Sequence, residues 1–507
     1  MPFDPPATFP VGPHDQTLLQ SVRPKDWKNP TPAGRYNLVV IGAGPAGLVA
    51  ARGAAALGAR VALVEKAMIG GDCLNVGCIP SKALIRTARL YSEMRDARHF
   101  GALPPNQIKV DFAMAMDRMR HLRARIGQSD SVAHLTEEGI DIFFGTARFT
   151  GRDRLDVGGT ELRFAKALIA TGAHAKLPDI LGLMEAGYLS NETVFNLTRC
   201  PRRLLVIGGG PLGCEMAQVF CRLGSQVILV QDDPMFLPRE ERDAAQMLSE
   251  ALARDGVEIH LNTKVTAVRI KDGQKEADLE LQGEISTVSA DEILTGIGRA
   301  PNTEGLDLEK AGVETADGGI SVDDFMRTSN RCIYAAGDVC LEHKFTHTAE
   351  ASARLVVRNA LFLGRKRLSK LVIPWCTYTD PEIGHVGLYP FDARQAGIPV
   401  QTFTILMHDV DRAVTDGHEQ GFVKLHVRQN SDRILGATVV SSHAGEMINS
   451  ISLAIGAGMG LGALAAVIHA YPTEAVAIRM AANAYEQSWL SPRVKALAGH
   501  WLAWARR

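Results

Sequence analysis

Two glycine-rich turns of one design constrain this chain more than anything else in it. Residues 36–41 form a short apolar run that reads as a buried strand. It enters Gly42-Ala43-Gly44-Pro45-Ala46-Gly47, an alanine-rich helical stretch runs to Leu57, and a second strand, residues 60–64, ends at Glu65. Strand, glycine turn, helix, strand and an acid about 20 residues on make a complete dinucleotide-binding βαβ unit. The pattern then recurs. Residues 204–207 read as a strand, Gly208-Gly209-Gly210-Pro211-Leu212-Gly213 as the turn, 214–223 as the helix and 226–230 as the second strand. Glycine kept only for helix–strand packing would explain one turn, but not a repeated unit. Two units call for two dinucleotides, or one nucleotide and one pseudosite.

Just past the first unit lies Gly70-Gly71-Asp72-Cys73-Leu74-Asn75-Val76-Gly77-Cys78-Ile79-Pro80-Ser81-Lys82. Two cysteines five apart, next to a nucleotide turn, can relay two electrons: one sulfur faces a bound flavin and the other the substrate. A stabilising bridge is the alternative, but so short a loop stabilises a fold only modestly. The other six cysteines are scattered singly, which argues against an oxidising compartment with a disulfide framework.

The chain has 507 residues, enough for three or four domains. A hydrophobic fraction of 46% with 22% charged residues is ordinary for a soluble protein. Fifty-five basic side chains against 56 acidic ones give a net charge of −1, so nothing electrostatic points to nucleic acid. Residues 1–35 are rich in proline and polar groups and lack the basic then apolar pattern of a secretory signal. They read as an irregular arm. No apolar run of about 18 residues predicts a membrane span, and the cytoplasm is the default location.

The fold class is α/β, with two Rossmann-like dinucleotide-binding domains and a C-terminal α+β domain. Residues 36–185 form the first part of the domain for the first nucleotide, and 306–368 its second part. Residues 186–305 form the second nucleotide's domain, and 369–490 an interface domain. Helical periodicity covers about 79–98 and 112–135, and strands are expected at 141–149, 162–170, 375–379, 421–427 and 434–440.

These residues resemble the FAD-dependent pyridine nucleotide–disulfide oxidoreductases, among them glutathione reductase, dihydrolipoamide dehydrogenase and mercuric reductase. The resemblance runs from about residue 36 to 484. Gly296-Ile297-Gly298-Arg299-Ala300-Pro301-Asn302 and Ala335-Ala336-Gly337-Asp338-Val339 support it independently of the cysteine motif. It implies FAD on Gly42, Gly44 and Gly47, with Glu65 at the adenosine ribose and Gly71 beside the cofactor. Gly145 and Ala147 would contact adenine, Thr171 and Gly172 would close over the FAD, and Asp338 would bind the ribityl chain. Thr346 would start a helix whose positive end favours reduced, anionic flavin. NADH or NADPH would use Gly208, Gly210, Gly213, Gln231, Gly298 and Arg299. By the same resemblance Cys78 is the flavin-side sulfur and Cys73 the interchange sulfur, while Lys82 pairs with Glu215. Relatives of this kind are homodimers whose active sites are built from two chains.

The sequence departs from those relatives in one place. Glutathione reductase and dihydrolipoamide dehydrogenase keep a histidine, held by a glutamate, in a His-Pro-Thr motif. Here the segment is His469-Ala470-Tyr471-Pro472-Thr473-Glu474, with Val476 where the glutamate belongs. A histidine with pKa about 6.5 can take a thiol proton at neutral pH, whereas an unperturbed tyrosine at about 10 does so poorly. Mercuric reductase also has tyrosine there. This makes mercuric reductase-like proteins the closest resemblance, with Tyr471 as a ligand-positioning group and Cys73 and Cys78 as transient ligands of a soft metal ion. Yet the N-terminal metal domain and C-terminal cysteine pair of that enzyme are absent, since the last cysteine is Cys376.

The function read from these residues is an FAD-dependent NAD(P)H oxidoreductase passing electrons through Cys73 and Cys78 to a thiol-reactive acceptor. That acceptor is a metal ion in the leading reading. The alternatives are dihydrolipoamide dehydrogenase, another disulfide or quinone reductase, and a low-turnover redox-sensing or metal-binding flavoprotein. Asp232 and Asp233 follow Gln231, which favours NADH, while Arg239 leaves NADPH open. Residues 491–507 read as an amphipathic helix with Val494, Leu497, Trp501 and Trp504 near one face and Arg493, Lys495, Arg506 and Arg507 supplying charge. Docking on the chain's own dimer is the favoured role, and weak membrane-surface contact through residues 492–507 the other.

Overall fold

The computed structural model describes residues 12–32, 34–105, 108–362 and 364–506. They fall into two compact units, residues 1–234 with 255–371, and residues 235–254 with 372–507.

The first unit holds both nucleotide turns. Strand Arg35–Ile41 sits between Val61–Glu65 and Thr160–Ile169, paired in parallel with each. Five of its seven residues are buried, as a strand covered on both faces requires. Ile140–Phe144 extends this sheet beyond Val61–Glu65, and Ile333–Ala335 joins Thr160–Ile169 in parallel. A second, four-stranded parallel sheet orders Glu258–His260, Gln226–Val230, Arg203–Ile207 and Glu292–Thr295.

Helix Cys78–Asp96 matches the periodic stretch at 79–98. The stretch at 112–135 is two helices, not one. Asp111 caps Phe112–Gly127 by accepting from the Met114 N–H at 2.9 Å, and Ser131 caps Val132–Glu137 by accepting from His134 N–H. The strand expected at 141–149 is likewise broken. Gly145, at φ +153°, separates Ile140–Phe144 from Ala147–Gly151.

The N-terminal arm is a correction. Residues 1–11 and 33 lie outside the described residues, but Pro13–Val22 is a helix, not irregular chain. Leu18 and Val22 are buried in the core, and Asp15 makes a buried ion pair with Arg123 (2.8 Å).

The second unit is α+β, as expected. Its antiparallel sheet runs Pro374–Thr377, Glu382–Gly387, Ile434–Ser441, Phe422–Arg428, Val400–Leu406. Helix Ala444–Gly456 packs with Met447, Ile448, Ile451 and Ala454 buried at helical spacing. Residues 235–254 lie inside the stretch 186–305 expected for the second nucleotide, yet they pack in this unit. The Glu240 carboxylate accepts from Trp375 Nε1 (2.8 Å) and from the Tyr389 hydroxyl (2.6 Å). Helix Pro492–Ala505 forms as expected, and none of its residues is buried. Among the described residues no helix is long and apolar enough to cross a membrane.

Candidate redox site

Cys73 lies in the short helix Gly71–Val76, and Cys78 opens the helix Cys78–Asp96 after Gly77. Neither forms a disulfide in this structure. The hydrogen bond from Cys73 lowers the Cys78 thiol to about 6, helped by Thr346 and the Lys82 charge against the opposing effect of burial. The same hydrogen bond, with burial, pushes Cys73 well above the ordinary thiol range. Of the two, Cys78 is thus the more readily ionised sulfur and Cys73 the less. Thr346 Oγ1 lies 3.4 Å from Cys78 Sγ and opens the helix Thr346–Leu361.

One helical turn past Cys78, Lys82 Nζ donates to both Glu215 oxygens, at 2.9 and 3.1 Å. Glu215 is 4% exposed, so this is not an ordinary surface pair.

At the first glycine turn, a Cβ on Gly47 would lie 1.8 Å from the Gly42 carbonyl oxygen, so helix and strand close only over bare backbone. Glu65 Oε2 accepts from the Ala43 N–H (2.8 Å) and Oε1 from the Ala67 N–H (2.7 Å). Burial raises the pKa of Glu65, against those two hydrogen bonds. Gly44 and Gly71 meet backbone to backbone, since a Cβ on Gly71 would sit 2.6 Å from Gly44 Cα. The Gly145 N–H donates to the Glu65 carbonyl, and Ala147 begins the next strand. Thr171 and Gly172 are tied to Asn302: Thr171 Oγ1 donates to its carbonyl (2.7 Å) and the Asn302 N–H donates to the Gly172 carbonyl (2.9 Å).

The second turn repeats the first. A Cβ on Gly213 would lie 1.9 Å from the Gly208 oxygen, while Gly210 precedes the helix Pro211–Arg222. Gln231 takes the place of Glu65. Its Oε1 accepts from the Gly209 N–H (2.6 Å), and its Nε2 donates to Asp233 Oδ2 (2.9 Å). Gly298, at φ +120°, precedes Arg299. Arg299 pairs with Asp72, donates to the Ala173 carbonyl, and lies 3.6 Å from Asp338. Burial raises Asp338 above the usual carboxylate range.

In the second unit Tyr471 is 70% exposed, and its hydroxyl donates to Asp411 Oδ2 at 2.7 Å. That hydrogen bond raises the phenol's pKa, so still less phenolate is present at neutral pH to accept a proton. Val476 is buried.

Several contacts carry no motif in the sequence. They include the Asp72–Arg299–Asp338 chain, the Gln231–Asp233 bond, and a pair in the second unit. In that pair, His443 Nδ1 and Oε1 of the buried Glu474 lie within hydrogen-bond distance, at 3.1 Å. Among the described residues no three or more His, Cys, Asp or Glu side chains gather to hold a metal ion.

The residues around the first turn fit FAD. Helix Pro45–Ala55 has no side-chain cap at Gly44, so its first N–H groups are open to phosphate. Arg299 Nε is buried without a hydrogen-bond partner among the described residues, a donor that a polar ligand would satisfy. Two nucleotide cradles with a polarised dithiol in the same unit define a flavin-linked dithiol oxidoreductase. The family model for pyridine nucleotide-disulphide oxidoreductases matches residues 36–353, and the model of that family's dimerisation domain matches residues 373–482. The chain belongs to the pyridine nucleotide-disulphide oxidoreductase family, and is an NAD(P)H-dependent FAD enzyme. It is 32% identical to a mercuric reductase of Staphylococcus aureus over 90% of this chain and 83% of that protein. It is 35% identical to a dihydrolipoyl dehydrogenase of Thermus scotoductus, covering 89% and 97%. The Cu(II) complex of the HOCl-induced flavoprotein disulfide reductase RclA from Escherichia coli superposes with a TM-score of 0.79 at 29% identity, covering 89% of this chain and 99% of that one.

Proposed function

We propose that the chain is a homodimeric, NADH-using reductase of a thiol-reactive acceptor, of the mercuric reductase kind, with a soft metal ion as substrate. The observation that carries this is the Cys73–Cys78 pair itself, with Thr346 Oγ1 3.4 Å from the Cys78 sulfur and Lys82, one helical turn on, held by the buried Glu215. Bound FAD supplies hydride acceptance from the nicotinamide and delivery of the electron pair to the cysteines.

The protein's own residues do the rest. Gly42, Gly44, Gly47 and Gly71 present bare backbone to the FAD pyrophosphate, and Glu65, Gly145, Ala147, Thr171, Gly172 and Asp338 surround its remaining parts. Gly208, Gly210, Gly213 and Gly298 do the same for the nicotinamide nucleotide. Asp233, held by Gln231, supplies the acid that favours a ribose hydroxyl over a 2′-phosphate. Lys82, fixed by Glu215, keeps positive charge near Cys78 and so favours its thiolate. Cys73 makes the first bond to the acceptor. Soft thiolates suit Hg(II) or Cu(I). Tyr471 orients the bound acceptor.

Mercuric reductase relatives and the copper complex of a similar flavoprotein support a metal acceptor. The dihydrolipoyl dehydrogenase relative supports a disulfide, but Tyr471 and Val476 stand where that chemistry keeps its histidine and glutamate. For the last helix the favoured role is docking on the dimer. Vesicle binding with and without residues 492–507 separates that from a membrane surface.

The test is steady-state oxidation of NADH and of NADPH with Hg(II), Cu(II), lipoamide, glutathione disulfide and quinones. The expected result is NADH preference with turnover on a metal ion. Turnover on lipoamide or glutathione disulfide alone would overturn the metal reading. Sedimentation should give about twice 54.7 kDa for a two-fold dimer.

A further inference from the structure

The region that matches the family begins at residue 36, yet the chain ahead of it reaches the carboxyl end of the first sheet. Three parallel strands of that sheet end side by side at Ile41, Glu65 and Phe144. In sheets of this kind nucleotides bind just beyond such ends. The N-terminal helix stops there. The Val22 carbonyl accepts from the Ile69 N–H at 3.2 Å, shortly after Glu65. Trp27 Nε1 donates to the Ile142 carbonyl (3.3 Å), and its ring stands edge-on to Phe144. Asn29 holds the Phe144 backbone twice: its amide nitrogen donates to the Phe144 carbonyl (2.9 Å), and its amide oxygen accepts from the Phe144 N–H (2.8 Å).

Arg23, the C-cap residue of that helix, lies across the ring so fixed, with its guanidinium carbon 4.1 Å from the ring centroid. Phe144 is the register partner of Glu65 in the neighbouring strand. The cation is therefore stationed beside a carboxylate that is 8% exposed. A buried carboxylate needs compensation. The Ala43 and Ala67 N–H groups donate to one oxygen each. Two cations act on it besides, Lys66 and Arg23. Lys66 is exposed to solvent, whereas Arg23 is half-buried against the ring. Burial lowers the Arg23 pKa, and the charge of Glu65 opposes that. While ionised, each Glu65 oxygen keeps capacity to accept from a hydroxyl; once protonated, one of them becomes a donor.

We propose that Arg23, seated on Phe144, belongs to the FAD site as the cation that balances Glu65, so that the N-terminal arm helps to retain the adenosine half of the cofactor. This rests on the reading of Glu65 as the acceptor of the adenosine ribose hydroxyls. Arg23 is a positioning residue, acting through the charge of Glu65.

The test is the rate at which diluted holoenzyme releases FAD, followed by the fluorescence of the free flavin from about pH 5 to 8, where a buried carboxylate titrates. Acid protonates Glu65, so release should quicken as the pH falls. Arg23→Met keeps a stem on the ring and removes the charge. Glu65 then takes its proton more readily, and the profile should move up by roughly one pH unit. On the limb where release depends on pH, that is about a tenfold faster rate. Arg23→Lys restores the charge without the planar fork and should recover most of the shift. Circular dichroism at neutral pH reports that each variant is folded. A folded Arg23→Met with the parental profile would overturn the proposal. So would equal shifts in Arg23→Met and Arg23→Lys, the mark of packing alone. Glu65→Gln tells this failure from that of the reading beneath it. It should release FAD quickly and without pH dependence. Parental release from Glu65→Gln would mean that Glu65 does not hold the ribose, and the proposal would fall with that reading. Fast release from Glu65→Gln beside an unshifted Arg23→Met would remove the proposal alone.

Discussion

The cysteine helix and the Tyr471 turn have fared differently. Around Cys78 each side chain with a role is held by a partner: Lys82 by the buried Glu215, the Cys78 sulfur by Thr346 and Cys73. Around Tyr471 the side chain is exposed, its hydroxyl is engaged by Asp411, and a buried valine follows at position 476. Electron transfer demands fixed distances and fixed charge, and the first region supplies both. Proton exchange needs only a group of suitable basicity within reach, so that duty can migrate to other residues. The contrast is between a rigid requirement and a movable one.

The strongest way to break this contrast is Cys78→Ser. It should lower acceptor turnover at least about a thousandfold, the scale seen when a catalytic nucleophile is removed, and abolish the long-wavelength charge-transfer absorbance expected of a Cys78 thiolate facing oxidised flavin in the reduced protein. Equal damage from Tyr471→Phe would erase the distinction between the regions. Lys82→Met comes next. It strands the Glu215 carboxylate, and because Lys82 is itself about a third exposed the cost should be about 2 kcal/mol, below the full penalty for a broken buried pair. Thermal or urea unfolding of the holoprotein measures it. Glu215→Gln, which removes the charge and keeps the shape, should cost less.

Tyr471→Phe should leave FAD reduction by NADH within a few-fold and lower Hg(II) turnover about tenfold, a loss of about 1.4 kcal/mol in the transition state. Stopped-flow traces of the two half-reactions separate them. The smallest effect is on pH. With Cys78 lowered to about 6, its thiolate should dominate at neutral pH and fade as acid is added, with the absorbance midpoint near that value. Lys82→Met removes a charge that favours the thiolate, so the midpoint should move up.

What could be read in advance follows from range. The two glycine turns are local steric facts, and the Gly47 and Gly213 approaches appear as the motif requires. Lys82 and Glu215 are 133 residues apart and were legible only because each sits at a fixed offset within its own motif. The His443–Glu474 pair has no such frame, since neither position belongs to a recurring pattern. The helix at 13–22 was missed because proline and polar residues disguised it, and its stability comes from Leu18, Val22 and Asp15 packing against distant residues. The strand at 141–149 was overextended because hydrophobicity continues through Gly145 while the backbone does not.

That N-terminal helix reaches further than its position suggests. Arg123, fully buried, binds Asp15 with one nitrogen and the Asn75 carbonyl with the other, each at 2.8 Å. Asn75 in turn belongs to the short helix that carries Cys73, where its amide donates to the Ile69 and Gly71 carbonyls. A protease cutting between the first helix and Tyr36, where the family's shared core begins, would therefore do more than shorten the tail. Loss of Asp15 would strand the Arg123 guanidinium in the interior, at a cost on the order of 3–5 kcal/mol, against the carbonyl of Asn75, two residues along the chain from Cys73. A nick far from the chemistry would thus be felt as a loosened redox centre.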